Sequence, residues 1–307
     1  MKKIFIPLEF LIVILVVSCG ETKKIPMTQD LFISSVFTPA NSFTSGAEGP
    51  AVDKDGILYA VNFSKEGTIG KIMPSSAEGS VFIELPNGSV GNGIRFSSKG
   101  DMFIADYTNH NVLKIDMSTK QLSVFAHEPL MNQPNDLAID NKDRIYASDP
   151  NWKAGTGQIW RIDLDGKTTL LEDKMGTTNG IEVSPDNKTL YVNESVQRKV
   201  WAYDLSAEGQ VSNKRLIFEF PDFGMDGMRC DADGNLYITR YGQGTIVKLS
   251  PSGKIIREIT LTGKNSSNIA FGGKDGCTAY VTLQDQGNIE TFRVDKPGRE
   301  WKMMRGK

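Results

Sequence analysis

The sequence predicts an all-β protein built as a six-bladed β-propeller. Three observations predict this fold. A turn followed by an apolar-aromatic-apolar segment occurs six times, and the intervals between the aromatic residues are 43 to 46 residues. Apolar and polar residues alternate in short segments bounded by Gly, Asp and Asn, as expected for short strands. A period in the forties combined with β-type composition is typical of propeller blades.

The repeated aromatic residue marks the same strand in every unit. The six positions are Tyr59, Phe103, Tyr146, Tyr191, Tyr237 and Tyr280. Within a unit the pattern predicts a strand, a tight turn, a strand, a loop and a further strand, as in residues 236–249. Residues 31–37 precede the first unit, and we expect them to form an outer strand that completes the last blade. The alternative is two smaller β domains, but no linker separates two halves of the chain.

Composition indicates a folded body and argues against nucleic-acid binding. Apolar residues make up 39% and charged residues 23% of the 307 residues, which excludes bulk disorder. The formal net charge is -2, whereas a nucleic-acid binder normally carries a basic face. We expect a monomer.

The N-terminal segment predicts export and lipid anchoring. Lys2 and Lys3 precede an apolar run at residues 4–17. The run is shorter than a transmembrane helix requires, and the combination is typical of a secretion signal. The run ends in Val-Val-Ser-Cys19, which resembles a bacterial lipobox; the alternative is an ordinary signal with an incidental cysteine. We therefore expect a signal peptide at 1–18, lipidated Cys19 and a tether at 19–30, and the propeller at 31–307. The cell envelope follows as the location, with the outer membrane favoured.

One acidic or amide residue stands 11 or 12 positions before each repeated aromatic. This first ring consists of Glu48, Asn92, Asn135, Asn179, Asp226 and Asn268. The position lies just ahead of the innermost strand of a blade, so the six side chains are expected to converge on the axis at one face. Turn formation is the alternative explanation for Asn and Asp, but all six units share the position.

The first ring has the chemistry of a cation site. Two carboxylates and four amide oxygens are hard ligands, which favour calcium or magnesium over zinc or copper. The sequence therefore predicts one divalent cation on the axis. Calcium is the first choice, with magnesium, manganese and zinc as alternatives.

A second ring follows three residues after each aromatic. It consists of Asn62, Asp106, Asp149, Glu194 and Arg240, with Leu283 as the exception. We expect this ring to surround the first as a polar wall, which makes Arg240 a candidate for substrate contact. Asp149 precedes Pro150, so an Asx turn explains it as well as a ligand role does.

Several phrases around these residues resemble the SMP-30/gluconolactonase family. They are Glu48-Gly-Pro, Pro134-Asn135-Asp136, Asn179-Gly-Ile-Glu-Val-Ser-Pro-Asp186 and Asp226-Gly-Met, within about residues 45–285. The resemblance implies a six-bladed propeller with one divalent metal on its axis and hydrolysis of sugar lactones or related esters. It makes Glu48, Asn179 and Asp226 metal ligands and gives Asn135 a metal or substrate contact. Asn92 and Asn268 are left as substrate-facing or supporting residues.

These observations predict a metal-dependent hydrolase that opens lactones. The expected mechanism is Lewis-acid activation of the carbonyl and of water, with Asp226, or alternatively Asp149, accepting the proton. The partners would be a small lactone or ester and, through the lipid alone, a membrane. Two alternatives stay open. One is a phosphotriesterase or arylesterase on the same metal, and the other is a non-catalytic propeller that binds a glycan or a protein.

Overall fold

The computed structural model describes residues 30–305, together with Met1. The predicted signal peptide, Cys19 and the tether therefore lie outside the described residues, except for Met1 and Asp30 at their ends. Among the described residues, no helix has the length and apolar character that crossing a membrane requires.

Six four-stranded antiparallel sheets form the fold, and each is one blade. A short strand, β1 (Ser35–Val36), precedes the first blade. Blades 1 and 2 contain β2 (Phe43–Val52), β3 (Leu58–Phe63), β4 (Thr68–Ile72), β5 (Gly79–Glu84), β6 (Gly91–Phe96), β7 (Met102–Asp106), β8 (Asn111–Asp116) and β9 (Gln121–His127). Blades 3 and 4 contain β10 (Leu137–Ile139), β11 (Ile145–Asn151), β12 (Thr156–Ile162), β13 (Thr168–Met175), β14 (Thr178–Val183), β15 (Thr189–Glu194), β16 (Lys199–Leu205) and β17 (Val211–Glu219). Blades 5 and 6 contain β18 (Met228–Cys230), β19 (Leu236–Arg240), β20 (Thr245–Leu249), β21 (Ile255–Thr260), β22 (Ser266–Gly272), β23 (Thr278–Leu283) and β24 (Asn288–Arg293).

The N-terminal strand closes the ring, as the sequence predicts. Strand β1 pairs with β24, so that the order in blade 6 is β22-β23-β24-β1 from the inside outward. Blade 6 therefore combines the two ends of the domain, and the pairing joins residues about 256 positions apart. This closure removes an open edge between the first and last blades.

Burial falls from the innermost to the outermost strand of a blade. Every residue of β14 and β22 is buried, whereas β5 and β21 are mostly exposed. The exposure pattern therefore shows that the innermost strands surround the propeller axis.

The hydrophobic core is divided into six clusters, one at each junction between neighbouring blades. Each repeated aromatic residue belongs to a different cluster; Tyr59, for example, packs at the junction with Phe96 of blade 2. Because a sheet face must be covered by another layer to exclude water, these aromatic side chains explain why the sequence period is so regular.

A short C-terminal helix, which the sequence pattern did not predict, is the one helix among residues 30–305. Helix α1 (Arg299–Met304) is held by contacts with several blades. The Trp301 indole donates to the carbonyl of Gly273 in blade 6 (3.1 Å), and Arg305 donates to the carbonyl of Lys54 in blade 1 (2.8 Å). Met303 and Met304 pack on the clusters on either side of blade 2.

Candidate active site on the propeller axis

Irregular pairing of the innermost strands aims the first ring at the axis. The register between the two inner strands shifts on both sides of Glu48, and it also shifts across Asn92, Asn179 and Asn268. A β-bulge re-aims a side chain that would otherwise follow the pleat. In four blades, a bulge of this kind therefore turns the side chain of the first ring out of its sheet.

Glycine follows the first ring in four blades because the neighbouring blade approaches there. A Cβ at Gly93 would lie 2.6 Å from Asp136 Oδ1, and one at Gly180 would lie 2.7 Å from the carbonyl oxygen of Asp226. The Gly93 and Gly180 amides donate to the carbonyls of Asn135 (2.8 Å) and Asp226 (3.2 Å) in the next blade. The Asn-Gly and Asp-Gly pairs thus link consecutive blades around the axis.

Five of the six residues of the first ring line one cavity of about 380 Å³. They are Glu48, Asn92, Asn135, Asn179 and Asp226. Asn268, the sixth, does not line it. Its Oδ1 accepts a hydrogen bond from Arg229 Nη1 at 3.2 Å and another from its neighbour's amide. The structure therefore gives Asn268 a supporting position rather than the substrate contact that the sequence suggested.

Burial and a neighbouring carboxylate raise the pKa of both carboxylates of the cavity. Burial, followed by the charge of Asp136, raises the pKa of Glu48 to about 7. Burial, followed by the charge of Glu48, raises the pKa of Asp226 well above its usual value. Two desolvated carboxylates close together disfavour double ionisation, so the protein without a cation keeps a proton between them near neutral pH.

Several oxygens of this cavity have unused acceptor capacity. Glu48 Oε1, Asn135 Oδ1 and Asn179 Oδ1 are buried and have no hydrogen-bond partner. Buried polar atoms are normally paired, and an exception calls for an explanation such as a bound ion. Among residues 30–305 no group of three or more His, Cys, Asp or Glu side chains is arranged to hold a metal ion. The donor set of two carboxylates and amide oxygens fits a hard cation.

The side chains of the second ring hydrogen-bond to neighbouring chain segments. They do not form the predicted polar wall around the cavity. Of its members only Asn62 lines the cavity. Asn62 Nδ2 donates to the Gly46 carbonyl (2.8 Å), Asp106 accepts from Ser89 (2.7 Å) and Glu194 accepts from the Gly176 amide (2.8 Å). Each of these side chains secures its own blade's innermost strand, either near the start of the strand or in the segment just before it. In blade 6, where Leu283 breaks the pattern, Asp285 binds the Lys264 and Asn265 amides instead.

Asp149 and Arg240 follow this rule, so neither lies where the sequence analysis expected it. Asp149 is fully buried and accepts hydrogen bonds from the Asn132 and Gln133 amides and from the Trp160 indole, at 2.6–3.1 Å. Arg240 donates to Asp222 Oδ1 (3.0 Å) and stacks on Phe220. Neither residue lines the cavity. Asp149 lies within β11 and its side chain binds the segment at Asn132 and Gln133, so the geometry gives it neither a contact with substrate nor the Asx turn.

A buried charged network lies behind the first ring and was missed by sequence reasoning. Asp136 pairs with Arg95 (3.1 Å) and with Arg229 (3.2 Å), and all three side chains are buried. From helix α1, Glu300 pairs with Arg95 (2.6 Å). Arg95 and Arg229 each follow their ring position by three residues, a spacing that had no obvious meaning without the fold.

The mouth of the cavity is formed by residues that the sequence analysis also missed. One side chain comes from the turn between the second and third strands of each blade. This rim consists of Glu66, Tyr107, Trp152, Ser195, Tyr241 and Gln284. Four of them stand four residues after the repeated aromatic, so counting one residue beyond the second ring would have found them.

The family model described as the SMP-30/Gluconolactonase/LRE-like region matches residues 46–285. This range spans the cavity and more than half of the chain. The chain belongs to the SMP-30/gluconolactonase family.

Members of the SMP-30/gluconolactonase family are found among both curated proteins and solved structures. A gluconolactonase from Zymomonas mobilis is 27% identical over 81% of this chain and 80% of its own length. Regucalcin from Xenopus laevis is 27% identical over 80% of this chain and 85% of its own. The structure of a calcium-binding regucalcin from Agrobacterium tumefaciens superposes with a TM-score of 0.75 at 22% identity, covering 87% of this chain and 95% of that one. This superposition confirms the predicted six-bladed fold.

Proposed function

We propose that this protein is a lactone hydrolase that works with a divalent cation held by Glu48, Asn135, Asn179 and Asp226. The observation that carries the proposal is the set of buried, unpartnered oxygens beside two carboxylates of raised pKa in one axial cavity. Membership of a family with named gluconolactonases supports lactones as the substrate class.

Calcium is the cation we propose. The four side chains offer oxygen donors alone, and the two carboxylates balance a double positive charge. Calcium tolerates a loose arrangement completed by water or substrate, which suits a cavity open on one side. A solved relative is described as a calcium-binding protein, which is consistent with this choice.

The chain's own residues would position the lactone and move the proton. When bound, a divalent cation supplies Lewis acidity toward a carbonyl oxygen and lowers the pKa of water. Asp226 is partly exposed to the cavity, and we propose that it accepts the proton of the attacking water. Asp149 is excluded from this role because N–H donors already occupy its oxygens. Asn92 lines the cavity, and we propose that it hydrogen-bonds the substrate.

The proposal is tested by titrating acid release from δ-gluconolactone at constant pH. The full-length chain in mild detergent is stripped with a chelator and assayed alone and with calcium, magnesium, manganese or zinc, with correction for spontaneous opening. We expect calcium-dependent turnover that falls about a hundredfold or more in Asp226→Asn. The matched control is Glu84→Gln, an exposed carboxylate on β5 outside the cavity, which should retain wild-type turnover.

Absence of turnover with every ion, in protein that calorimetry shows to bind one, would overturn the lactonase proposal. Aryl ester and phosphotriester substrates would then be assayed on the same preparation. Turnover of either would establish the esterase or phosphotriesterase alternative. No turnover of any substrate would establish a binding propeller.

We also propose that Cys19 anchors the protein in the cell envelope. The support is the Val-Val-Ser-Cys19 sequence after a short apolar run. Metabolic labelling with a radioactive fatty acid should mark the wild-type chain and not Cys19→Ser. The variant should also move from the membrane to the soluble fraction, since the acyl chains are the only membrane contact that we propose. Label retained on Cys19→Ser would contradict the anchor.

A further inference from the structure

The lining of the cavity is negatively charged and contains no cationic side chain. Among the residues that line it, Glu48 and Asp226 are the acidic side chains of the floor and Glu66 is the acidic side chain of the rim. No Lys, Arg or His belongs to the lining. A cation held by Glu48 and Asp226 would balance those two charges and leave Glu66 uncompensated at the entrance.

Aromatic side chains face the cavity from two opposite sides of the rim. Tyr107 and Trp152 come from the consecutive blades 2 and 3, and the Trp152 side chain lies close to the Tyr107 hydroxyl. Tyr241 comes from blade 5, which is opposite blade 2 in a ring of six. Its hydroxyl donates to Gln284 Oε1 at 3.1 Å, which holds the phenol ring at the mouth. The mouth is therefore a slot between aromatic surfaces.

We propose that the rim selects uncharged cyclic esters, held between the Tyr107–Trp152 pair and Tyr241, and rejects cyclic esters that carry a phosphate, sulfonate or carboxylate. The inference rests on the proposed lactonase function and specifies its substrate class. The amphipathic faces of Tyr and Trp suit a ring with apolar C–H faces and polar edges. An anionic substituent would lose water beside Glu66 without gaining a positive partner.

The test compares δ-gluconolactone with 6-phosphogluconolactone, which has the same ring and one anionic group. Assays use the full-length chain with calcium, and kcat and KM are measured for both lactones. We expect kcat/KM to be at least about tenfold lower for the phosphorylated lactone, a difference of about 1.4 kcal/mol. Glu66→Gln should reduce the difference in kcat/KM between the two lactones several-fold. Glu84→Gln, which changes an exposed carboxylate of the same blade outside the cavity, should leave the ratio unchanged.

The aromatic slot is tested separately at Trp152, whose side chain is 36% exposed and can be truncated without opening the core. Trp152→Ala should raise KM for δ-gluconolactone about tenfold while kcat changes less than about threefold. Trp152→Phe should restore most of the affinity because it keeps an aromatic face. An unchanged KM in Trp152→Ala would contradict the slot.

Failure of this inference can be distinguished from failure of the proposed function. Equal or faster turnover of the phosphorylated lactone overturns the charge selection and leaves the lactonase proposal standing. Binding of the matching lactams, which resist hydrolysis, is measured by calorimetry in parallel. Suppose that neither lactone is opened but the neutral lactam binds at least about tenfold more tightly than the phosphorylated lactam. This result would support the charge selection and contradict the lactonase proposal. Equal binding of the two lactams overturns the selection.

Discussion

At the scale of single residues, Asp226 and Asp149 have opposite roles. Asp226 faces the cavity and its pKa is raised by burial and by the charge of Glu48. Asp149 is turned away from the cavity and holds the segment at Asn132 and Gln133 through four hydrogen bonds. Hydrogen bonds to a charged group contribute about 1.5–3 kcal/mol each. Asp226 is therefore suited to proton transfer and Asp149 to stability.

Parallel Asp→Asn substitutions should separate these roles. Asp149→Asn presents an amide to N–H donors, so we expect a fall in the free energy of unfolding of at least about 2 kcal/mol and a kcat within about threefold of wild type. Asp226→Asn removes a like-charge contact, so in chelator-treated protein the Tm should be unchanged or higher, while activity is lost. Calorimetry and initial rates measure both. A stable, inactive Asp149→Asn would restore Asp149 as a catalytic candidate.

At the scale of elements, helix α1 closes the axis with charges from the network behind the cavity. Glu300 pairs with Arg95 (2.6 Å), and Arg299 pairs with Glu182 (3.4 Å) of blade 4. Arg95 is fully buried, and removal of one partner from a buried ion pair costs more than the pair contributes. The helix thus stabilises the propeller although it lies beyond the family region, which ends at residue 285.

Glu300→Gln should therefore lower the free energy of unfolding by about 2–4 kcal/mol, or the Tm by roughly 5–10 °C. Lys302→Ala is the matched control, because Lys302 is on the same helix and is exposed. Differential scanning calorimetry of the two variants and the wild type measures the effect. Equal Tm values for Glu300→Gln and Lys302→Ala would show that the helix carries no essential charge.

At the scale of the whole molecule, all six blades meet at the ring that we propose to hold the cation. The first ring takes one residue from each blade, and backbone hydrogen bonds join neighbouring ring segments. A ligand bound there stabilises the entire folded state by mass action. Protonation of Glu48 would therefore couple the stability of the whole propeller to pH and to binding of the proposed calcium ion.

In chelator-treated protein we expect the Tm to fall as the pH rises from 5 to 8. The folded-state pKa of Glu48 is raised from 4.5 to about 7. Between these two pH values the folded chain binds more protons than the unfolded chain. The contribution of Glu48 to the free energy of unfolding is therefore complete below pH 4.5 and is lost as the pH rises through about 7. Calcium should offset the loss, because it competes with the proton, and should raise the Tm more at pH 8 than at pH 5.

Glu48→Gln provides the control for this dependence. The amide cannot titrate, so the variant should show a flatter Tm between pH 5 and 8 and a smaller shift with calcium. A wild-type Tm that rises with pH in the absence of calcium would contradict the assignment of a raised pKa to Glu48. Thermal scans over a pH series with chelator and with calcium decide between these outcomes.

The fold and the first ring were predictable because both leave a periodic signal. The repeated aromatic residue marks each junction between blades, and the Glu, Asn or Asp ahead of it lies 11 or 12 residues earlier in every unit. The residues that secure loops share this periodicity, and this is why Asp149 and Arg240 looked like site residues. Periodicity identifies equivalent positions, but the direction of each side chain depends on local bulges and hydrogen bonds.

By itself, the sequence determined the six-bladed architecture, the closing strand and the ring of oxygen donors, since strand period and blade length are properties of the local chain. Tertiary structure alone decided three things: that Asn268 supports the ring from behind, that Glu300 reaches Arg95, and that the Tyr241 hydroxyl donates to Gln284 at the mouth. These contacts join residues far apart in the chain. Their partners are set by how blades pack around the axis, and no local pattern encodes that packing.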